Sequence, residues 1–190
     1  MKRYTLILIA GLLVASCDSL IDVQPQSDIS TETFFRTPAQ VDQAILGAYG
    51  YLQTLYSGTD WNGAFVMLEM RSDNTTYQFN VDNRGALHAE QIDEFREQSE
   101  NVVLQFFWQT SYQGIYQTNV VLDRIEAVDY GNNTSLKDQH LGEAKFLRAF
   151  NYFNLVRLFG GVPLKLHEIK TPSEVYAEGR ASVDEVYAQI

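Results

Sequence analysis

The sequence contains little cysteine, histidine and positive charge, and each scarcity excludes a class of structure or partner. A single cysteine among 190 residues rules out an intrachain disulfide. His88, His140 and His167 lie too far apart for the ligand spacing of a zinc site. With 14 Lys and Arg against 24 Asp and Glu, the net charge is −10, which argues against a nucleic-acid partner.

Apolar residues, by contrast, are plentiful. Hydrophobic residues make up 45% of the chain and aromatic residues 13%, which favours a folded protein over a disordered one. A chain of 190 residues can also bury enough surface to fold as one domain without disulfides or metals.

The only cysteine directly follows a short apolar segment at the N-terminus. Lys2 and Arg3 precede a run at 4–14 that is apolar except for one threonine. This run is too short to span a bilayer, which needs roughly 20 helical residues, and it is typical of a secretory signal. The segment LVASC at 13–17 resembles a bacterial lipobox, which implies that Cys17 carries diacylglycerol and that cleavage occurs just before it. A buried free cysteine after an ordinary signal peptide is the alternative.

These features divide the chain into three parts. We expect a lipoprotein signal peptide at 1–16, a lipidated tether or extended arm at 17–33, and a helical domain at 34–190. Loss of Lys2 and Arg3 with the signal would leave 12 basic against 24 acidic residues, a net charge of −12 over 174 residues. Two or three acyl chains would hold the protein firmly at a membrane. Asp18, which follows the cysteine, does not determine which membrane leaflet holds the anchor.

Hydrophobic spacing predicts an all-α domain. Thr37, Pro38 and Gln40 form a capping-box sequence, which predicts a helix to about Tyr56. A second helix is expected from Ala64 to Arg71, followed by a long irregular stretch over 72–99. One face of a third helix is predicted to carry the following residues: Trp108, Tyr112, Ile115, Asn119, Leu122 and Ile125.

The strongest apolar content predicts another long helix at about Leu136 to Phe159. Its density predicts a central position, and Gly160 and Pro163 are expected to terminate it. This helix should pair antiparallel with the preceding one. The spacing of apolar residues after Ser182 predicts one more helix.

Polar residues interrupt the two long apolar helices. We expect Asn119 to be buried and bonded to neighbouring backbone, because buried amides must be satisfied. Arg148, Asn151, Asn154 and Arg157 follow one another at intervals of three. A substrate groove would fit this seam, but a solvated edge or hydrogen bonds to the preceding connection require the same pattern and are the interpretation that we favour.

Ala149 and Phe153 resemble the small and aromatic residues of a tetratricopeptide hairpin. Around them, the segment from Leu141 to Leu164, LGEAKFLRAFNYFNLVRLFGGVPL, resembles the hallmark segment of the SusD/RagB family of nutrient-uptake outer-membrane lipoproteins. Other segments agree in order with that family: the lipobox, 34–37 (FFRT), 47–49 (GAY), 69–73 (EMRSD), 108–119 and 182–187 (SVDEVY).

This resemblance implies a tetratricopeptide-like all-α fold and a binding function without catalysis or a cofactor. Family members are surface-exposed lipoproteins of Bacteroidota that cap a SusC-like TonB-dependent β-barrel transporter. They bind oligosaccharide, or peptide in the RagB branch, and pass it into the pore. Since family proteins commonly have several hundred residues, we expect this chain to be an N-terminal part whose apolar faces later repeats would cover.

The irregular stretch and the loop before it are the expected ligand site. Trp61 or Tyr77 would stack on a sugar ring, while Asn80, Asn83 or Arg84 would bond hydroxyls. Core packing for Trp61 and an ordinary solvated loop for the others are the alternatives.

Two other functional classes stay open. A tetratricopeptide-like scaffold with a protein partner would need no glycan. A glycoside hydrolase would need two carboxylates about 5 to 9.5 Å apart, which the acidic residues of the irregular stretch could offer, although such a cluster is usually a solvated face. Those residues are Glu90, Asp93, Glu94, Glu97 and Glu100.

Overall fold

The computed structural model describes residues 34–57, 63–78, 80–82 and 85–190. Over these residues the chain is helical and contains no strand, and Phe35–Ile190 forms one compact unit. None of the helices in the described ranges is both long enough and apolar enough to cross a membrane. The α-helices are α1 (Pro38–Tyr56), α2 (Leu87–Asp93), α3 (Val102–Arg124), α4 (Thr134–Phe159) and α5 (Val183–Gln189).

Helix α1 begins and ends where the sequence predicts. The Thr37 hydroxyl accepts from the Gln40 N–H at 3.4 Å, and the Gln40 side chain accepts from the Thr37 N–H at 3.0 Å. This reciprocal capping box and Pro38 in the first turn fix the start of the helix.

Helices α1, α3 and α4 form an up-down-up core. Along α3 and α4, Trp108 lies beside Phe159 and Asn119 beside Arg148, so the pair is antiparallel, as predicted. Tyr56, at the end of α1, bonds Asn154 of α4, while the other end of α1 lies near the start of α4. Helix α1 is therefore parallel to α4 and antiparallel to α3.

The central helix is α3, not α4 as the apolar content predicted. Helix α3 packs against both α1 and α4, and its buried residues include Val103, Phe107 and Thr118, which lie outside the predicted single face. Trp108, Tyr112 and Leu122 of that face are only half-buried. On α4, Phe146 is 60% exposed, because much of the aromatic content of this helix faces away from α3.

Two expectations for the region between α1 and α3 were wrong. The segment predicted as a helix from Ala64 to Arg71 forms only a π-helical turn, Phe65–Glu69, whose Val66 and Met67 are buried. The stretch 72–99 is not irregular throughout, since it contains α2. Only Ala89 and Ile92 bury apolar surface in this short helix, too few to produce a visible periodicity.

The ends of the last helices follow the sequence signals. Gly160 caps α4 with φ +70° and ψ −139°, a conformation that only glycine adopts readily. The positive φ is as predicted, but the ψ lies outside the left-handed helical region. Helix α5 starts at a second capping box, between Ser182 and Glu185. Only Val186 of α5 is buried, on the α3–α4 core.

Candidate functional site

The connection that follows α4 is held on the α3–α4 pair by side chains. Asn119 is fully buried and donates from Nδ2 to the Lys165 carbonyl at 2.8 Å and to the His167 carbonyl at 3.2 Å. This confirms the predicted role of Asn119. Further along, Arg124 pairs with Glu168 at 2.8 Å. Side-chain groups thus provide the hydrogen bonds that a neighbouring strand would give to an extended segment.

The polar seam of α4 is structural, but its partners differ from those predicted. Arg148 donates from Nη1 to the Asn119 side chain at 2.9 Å and to the Leu166 carbonyl at 3.0 Å, in the connection that follows the helix and not in the one that precedes it. Asn154 donates to the Tyr56 hydroxyl at 3.0 Å. Burial lowers the pKa of Arg148, but its guanidinium remains hydrogen-bonded to the Asn119 side-chain oxygen and the Leu166 carbonyl.

Two tyrosines complete the attachment of this connection. The Tyr152 hydroxyl donates to the Lys165 carbonyl at 2.9 Å and accepts from the Lys165 N–H at 2.6 Å. The Tyr112 hydroxyl donates to the Pro163 carbonyl at 2.7 Å. Burial raises the pKa of Tyr152 to about 12 and raises the pKa of Tyr112 well above its usual value, so both phenols remain donors at neutral pH.

A groove of about 620 Å³ lies between α3 and this connection. Its volume is within the range of about 300 to 1,000 Å³ that is usual for small-ligand sites. Helix α3 supplies one wall, and the 3-10 turn Pro172–Tyr176 contributes to the other. We call it the α3 groove, and the residues that give it its chemical character are Trp108, Gln109, Tyr112, Gln113, Tyr116 and Tyr176.

The sequence contains a signal for the α3 groove that hydrophobic spacing alone misses. An aromatic residue followed by glutamine occurs at 108–109, 112–113 and 116–117. Residues four apart lie on one side of a helix, so this repeat places rings and amides in neighbouring rows. Sequence analysis assigned Trp108 and Tyr112 to a buried face and gave no role to Tyr116 or to the amides.

The ammonium group beside the α3 groove is neutralised. Lys165 lines the groove with its side chain 92% buried, and it pairs with the Glu178 carboxylate. It also donates to the Glu174 carbonyl at 2.7 Å. The hydrogen bond from Lys165 lowers the pKa of Glu178, so this carboxylate stays ionised at neutral pH.

Of the residues predicted to bind a sugar, the structure describes Tyr77 and Asn80. Trp61, Asn83, Arg84 and the lipobox Cys17 lie outside the described residues. Tyr77 is half-buried against the core between α1, α2 and α3, and its N–H donates to Asp93 at 3.0 Å. Asn80 is exposed and accepts from the Asp82 N–H at 2.9 Å. Sugar binding by these residues stays a prediction.

Phe95 is a residue in this region that sequence analysis missed. It follows α2, and its φ of 54° is the only positive value of a non-glycine residue in the described ranges. The Phe95 N–H donates to the Ile92 carbonyl and the Arg96 N–H to the Gln91 carbonyl, which is a Schellman ending whose C′ position glycine usually occupies. The ring is 67% exposed and lies 5.6 Å from the Arg71 guanidinium.

Most of the acidic residues near α2 have specific partners instead of forming only a solvated face. Glu97 pairs with Arg71, and Glu94 pairs with Arg96. Asp93 accepts hydrogen bonds from the Tyr77 N–H and the Thr76 hydroxyl. The contacts of Asp93 and Glu97 tie α2 and the residues that follow it to the preceding segment, and all three carboxylates have a structural role.

With the fold and the surfaces established, comparison with known proteins identifies the family. The chain belongs to the SusD-like family described as "Starch-binding associating with outer membrane", whose model matches residues 20–190. The all-α, tetratricopeptide-like fold class and the family resemblance predicted from the sequence are both confirmed.

Three similar proteins illustrate the match. "SusD-like protein P38" of Formosa agariphila is 32% identical over 95% of this chain and 33% of its own length. A "Laminarin binding SusD-like protein" superposes with a TM-score of 0.67 at 25% identity, over 82% of this chain and 32% of that one. "Surface glycan-binding protein A" from Bacteroides uniformis superposes with a TM-score of 0.68 at 22% identity, over 80% and 32%. The chain spans about a third of the length of the curated relatives that it matches.

Proposed function

We propose that this protein is a cell-surface lipoprotein that binds a glycan and delivers it to a SusC-like TonB-dependent transporter in the outer membrane. The observation that carries the proposal is the family match over residues 20–190, which includes the whole helical domain. The laminarin-binding relative, at 25% identity, supports an oligosaccharide as the ligand.

The described residues offer surfaces suited to such a ligand. Exposed Asn80 and Phe95 lie in the region predicted to bind sugar, and the α3 groove combines rings with amides. Rings present apolar faces to sugar C–H groups, while amides bond hydroxyls. For the predicted site we propose Trp61 and Tyr77 as stacking residues and Asn80, Asn83 and Arg84 as hydroxyl ligands.

Affinity electrophoresis tests glycan binding. The full chain, purified in detergent, is run through gels that contain laminarin, starch or no polysaccharide. Retardation by at least one glycan is expected, and Asn80→Ala should weaken it if the predicted site contributes. A matched control is Asn132→Ala, at an exposed turn far from this region in the sequence. Migration that neither these polysaccharides nor an anionic one such as alginate alters would contradict glycan binding.

Cell fractionation tests the lipid anchor. We expect the wild-type chain in the outer-membrane fraction and Cys17→Ala in a soluble fraction, because the substitution removes the thioether attachment that holds the acyl chains. Retention of Cys17→Ala in the membrane would exclude lipidation of this residue as the anchor.

Co-purification tests the partner and separates this proposal from a protein scaffold. With Cys17 intact, affinity capture from native membranes should recover a β-barrel transporter, and the same preparation should be retarded by glycan. Capture of a protein partner without any glycan binding would favour the scaffold alternative, and retention of peptides instead of glycans would favour the RagB-like alternative.

We also propose that the protein binds its glycan without cleaving it. The carboxylates of Asp93, Glu94 and Glu97 are engaged in contacts that tie α2 to its surroundings, which suits a structural role. Incubation with laminarin or starch should therefore yield no new reducing ends. Time-dependent product that Glu97→Gln abolishes would instead support the glycoside hydrolase alternative.

A further inference from the structure

The α3 groove is lined by aromatic rings and amides, and this combination favours some kinds of ligand over others. Trp108, Tyr112 and Tyr116 follow one another at intervals of four along α3, each about 6 Å further along the helix axis. Gln109 and Gln113 each lie one residue beyond a ring and also line the groove. The wall is therefore a row of rings beside a row of amides.

The wall contributed by the connection is also exposed, and its aromatic residue is Tyr176. Tyr176 is 88% exposed and Val175 is 44% exposed, both in the short 3-10 turn. Opposite them, Tyr116 is 38% exposed. Two tyrosines on different elements thus border the same open groove, and neither belongs to the buried core.

The amides argue against a packed helix as the occupant. An apolar helix laid on this wall would remove water from Gln109 and Gln113 without supplying partners, which is costly for buried polar groups. A carbohydrate chain has C–H faces for the rings and hydroxyls for the amides, so it satisfies both rows together.

Charge further restricts the class of carbohydrate. Lys165, which lines the groove, is already paired with Glu178. Arg180 borders the neighbouring depression and donates to the Phe159 carbonyl at 3.3 Å. Arg180 also acts electrostatically on Tyr112 from beside the groove, but the net charge of −10 on the chain outweighs this single cation, so a polyuronate or sulfated glycan would meet net repulsion.

We infer that the α3 groove binds a neutral, extended glycan chain, with Tyr116 and Tyr176 stacking on sugar rings and Gln109 and Gln113 bonding hydroxyls. This inference rests on the proposed function, and it adds a binding surface separate from the predicted site at 77–84 and the class of glycan that the surface accepts.

Titration calorimetry on the full chain in detergent tests the inference with two probes. Neutral laminarin oligosaccharides represent the proposed class, and alginate oligosaccharides of similar length represent anionic glycans. We expect measurable binding of the neutral probe and binding of alginate that is at least about tenfold weaker, since each tenfold corresponds to about 1.4 kcal/mol.

Substitutions in the groove identify the surface. Tyr116→Ala and Tyr176→Ala should each weaken binding of the neutral probe about threefold to tenfold, and Gln113→Ala should weaken it by a similar factor. Tyr187→Ala is the matched control, because Tyr187 is exposed on α5 and does not line the groove. Circular dichroism melts of all variants should superpose on the wild type, since the substituted side chains lie outside the core.

The outcomes separate this inference from the proposed function. If wild type binds neither the neutral oligosaccharides, including a maltooligosaccharide series, nor alginate, both fail. If it binds alginate alone, the proposed function holds and the inference is wrong. If it binds but the groove variants match Tyr187→Ala while Asn80→Ala loses affinity, the proposed function holds and the inference is wrong. Equal affinity for alginate would contradict the neutral class. Loss of a co-purifying protein from Tyr116→Ala, with glycan binding unchanged, would assign the groove to a protein interface instead.

Discussion

Phe95 combines an unfavourable backbone conformation with an exposed ring. A non-glycine residue in the left-handed region costs about 1 to 2 kcal/mol, and here the cost is tied to the end of α2. Replacement by glycine should therefore stabilise the fold, whereas alanine keeps the strained backbone and loses the contact with Arg71. We predict that Phe95→Gly has a free energy of unfolding about 1 kcal/mol above that of Phe95→Ala.

Urea unfolding of both variants measures this difference. The comparison is internal, because glycine and alanine both remove the ring and differ mainly in their tolerance of positive φ. Equal midpoints would mean that the chain relaxes out of this conformation once the ring is gone. A more stable Phe95→Gly with weaker glycan retardation would indicate that the ring is kept for binding.

Asn119 is expected to be one of the most sensitive polar positions. Asn119→Ala removes the donor to two carbonyl groups and the acceptor for Arg148, so several buried groups lose a partner at once. We predict a loss of about 3 kcal/mol in the free energy of unfolding. Asn132→Ala, in an exposed turn, should change it by less than about 0.5 kcal/mol. Comparable midpoints for the two variants would contradict the structural role assigned to Asn119.

The buried phenols make stability fall at alkaline pH. The pKa of Tyr152 is about 12 in the folded state, against an ordinary value of 10.0, so the unfolded chain releases this proton first. The stabilising contribution is complete below pH 10 and is lost as the pH rises towards 12, and Tyr112 acts in the same direction. Chemical unfolding at pH 9, 10 and 11 should give a decreasing free energy, with a smaller slope in Tyr152→Phe than in the exposed control Tyr187→Phe.

At the level of single residues, the sequence predicted roles that depend on burial better than roles that depend on conformation. An asparagine on an apolar stripe must find partners, so its structural role could be inferred without knowing the partners. Nothing in the sequence indicated that Phe95 occupies a position typical of glycine, because the pairing of its N–H depends on where α2 ends.

Among the elements, the contact between α3 and α4 depends on a glycine. A Cβ added at Gly114 would lie 3.0 Å from the Asn151 side chain, which is buried and donates to the Leu147 carbonyl. The gain in helix propensity is therefore opposed by a clash with a side chain that cannot move freely. We predict that Gly114→Ala lowers the free energy of unfolding by about 1 to 3 kcal/mol.

Gly142 on α4 is the matched control, since a Cβ there meets no atom within 4 Å. Gly142→Ala should raise the free energy of unfolding by up to about 1 kcal/mol through helix propensity alone. Combining Gly114→Ala with Asn151→Ala should cost less than the sum of the two single changes, because the second removes the group that the first displaces. If the losses in the free energy of unfolding are additive, the strain in Gly114→Ala does not come from the contact with Asn151.

The elements that the sequence predicted correctly are those with strong periodicity or a cap. Helix α1 has both, and the start of α5 has a capping box. Helix α2 has neither a visible periodicity nor a side-chain N-cap, and its side-chain contacts with the preceding segment hold it in place. The central helix was also mispredicted, because apolar density does not indicate which helix its neighbours cover most extensively.

Over the whole molecule, an exposed aromatic seam follows the outer side of α1 and α4. Phe146 is 60% exposed and stacks on Phe150 with ring centroids 6.0 Å apart, and Tyr56 lies at the same distance from Phe150. Contiguous apolar surface of this kind promotes association. We predict that residues 18–190, prepared without detergent, show an average mass that rises with concentration in sedimentation experiments.

Phe146→Ser should lower this association while the melting temperature changes little, because the ring contributes more to the surface than to the core. Lys145→Ser, at the neighbouring exposed position, removes no aromatic surface and should behave as wild type. A monodisperse, cooperatively melting preparation of the wild-type segment at all concentrations would contradict the prediction.

The attachment of the connection after α4 also has a kinetic consequence. Loop amides usually exchange with solvent through small local openings, but the Lys165 N–H bonds a buried phenol and lies beside a carbonyl held by Asn119. Its release requires that the connection break its bonds to both α3 and α4 at once. In deuterium exchange, this amide should therefore persist as long as the core amides of α3, so that one wall of the α3 groove opens only when the helical core itself unfolds.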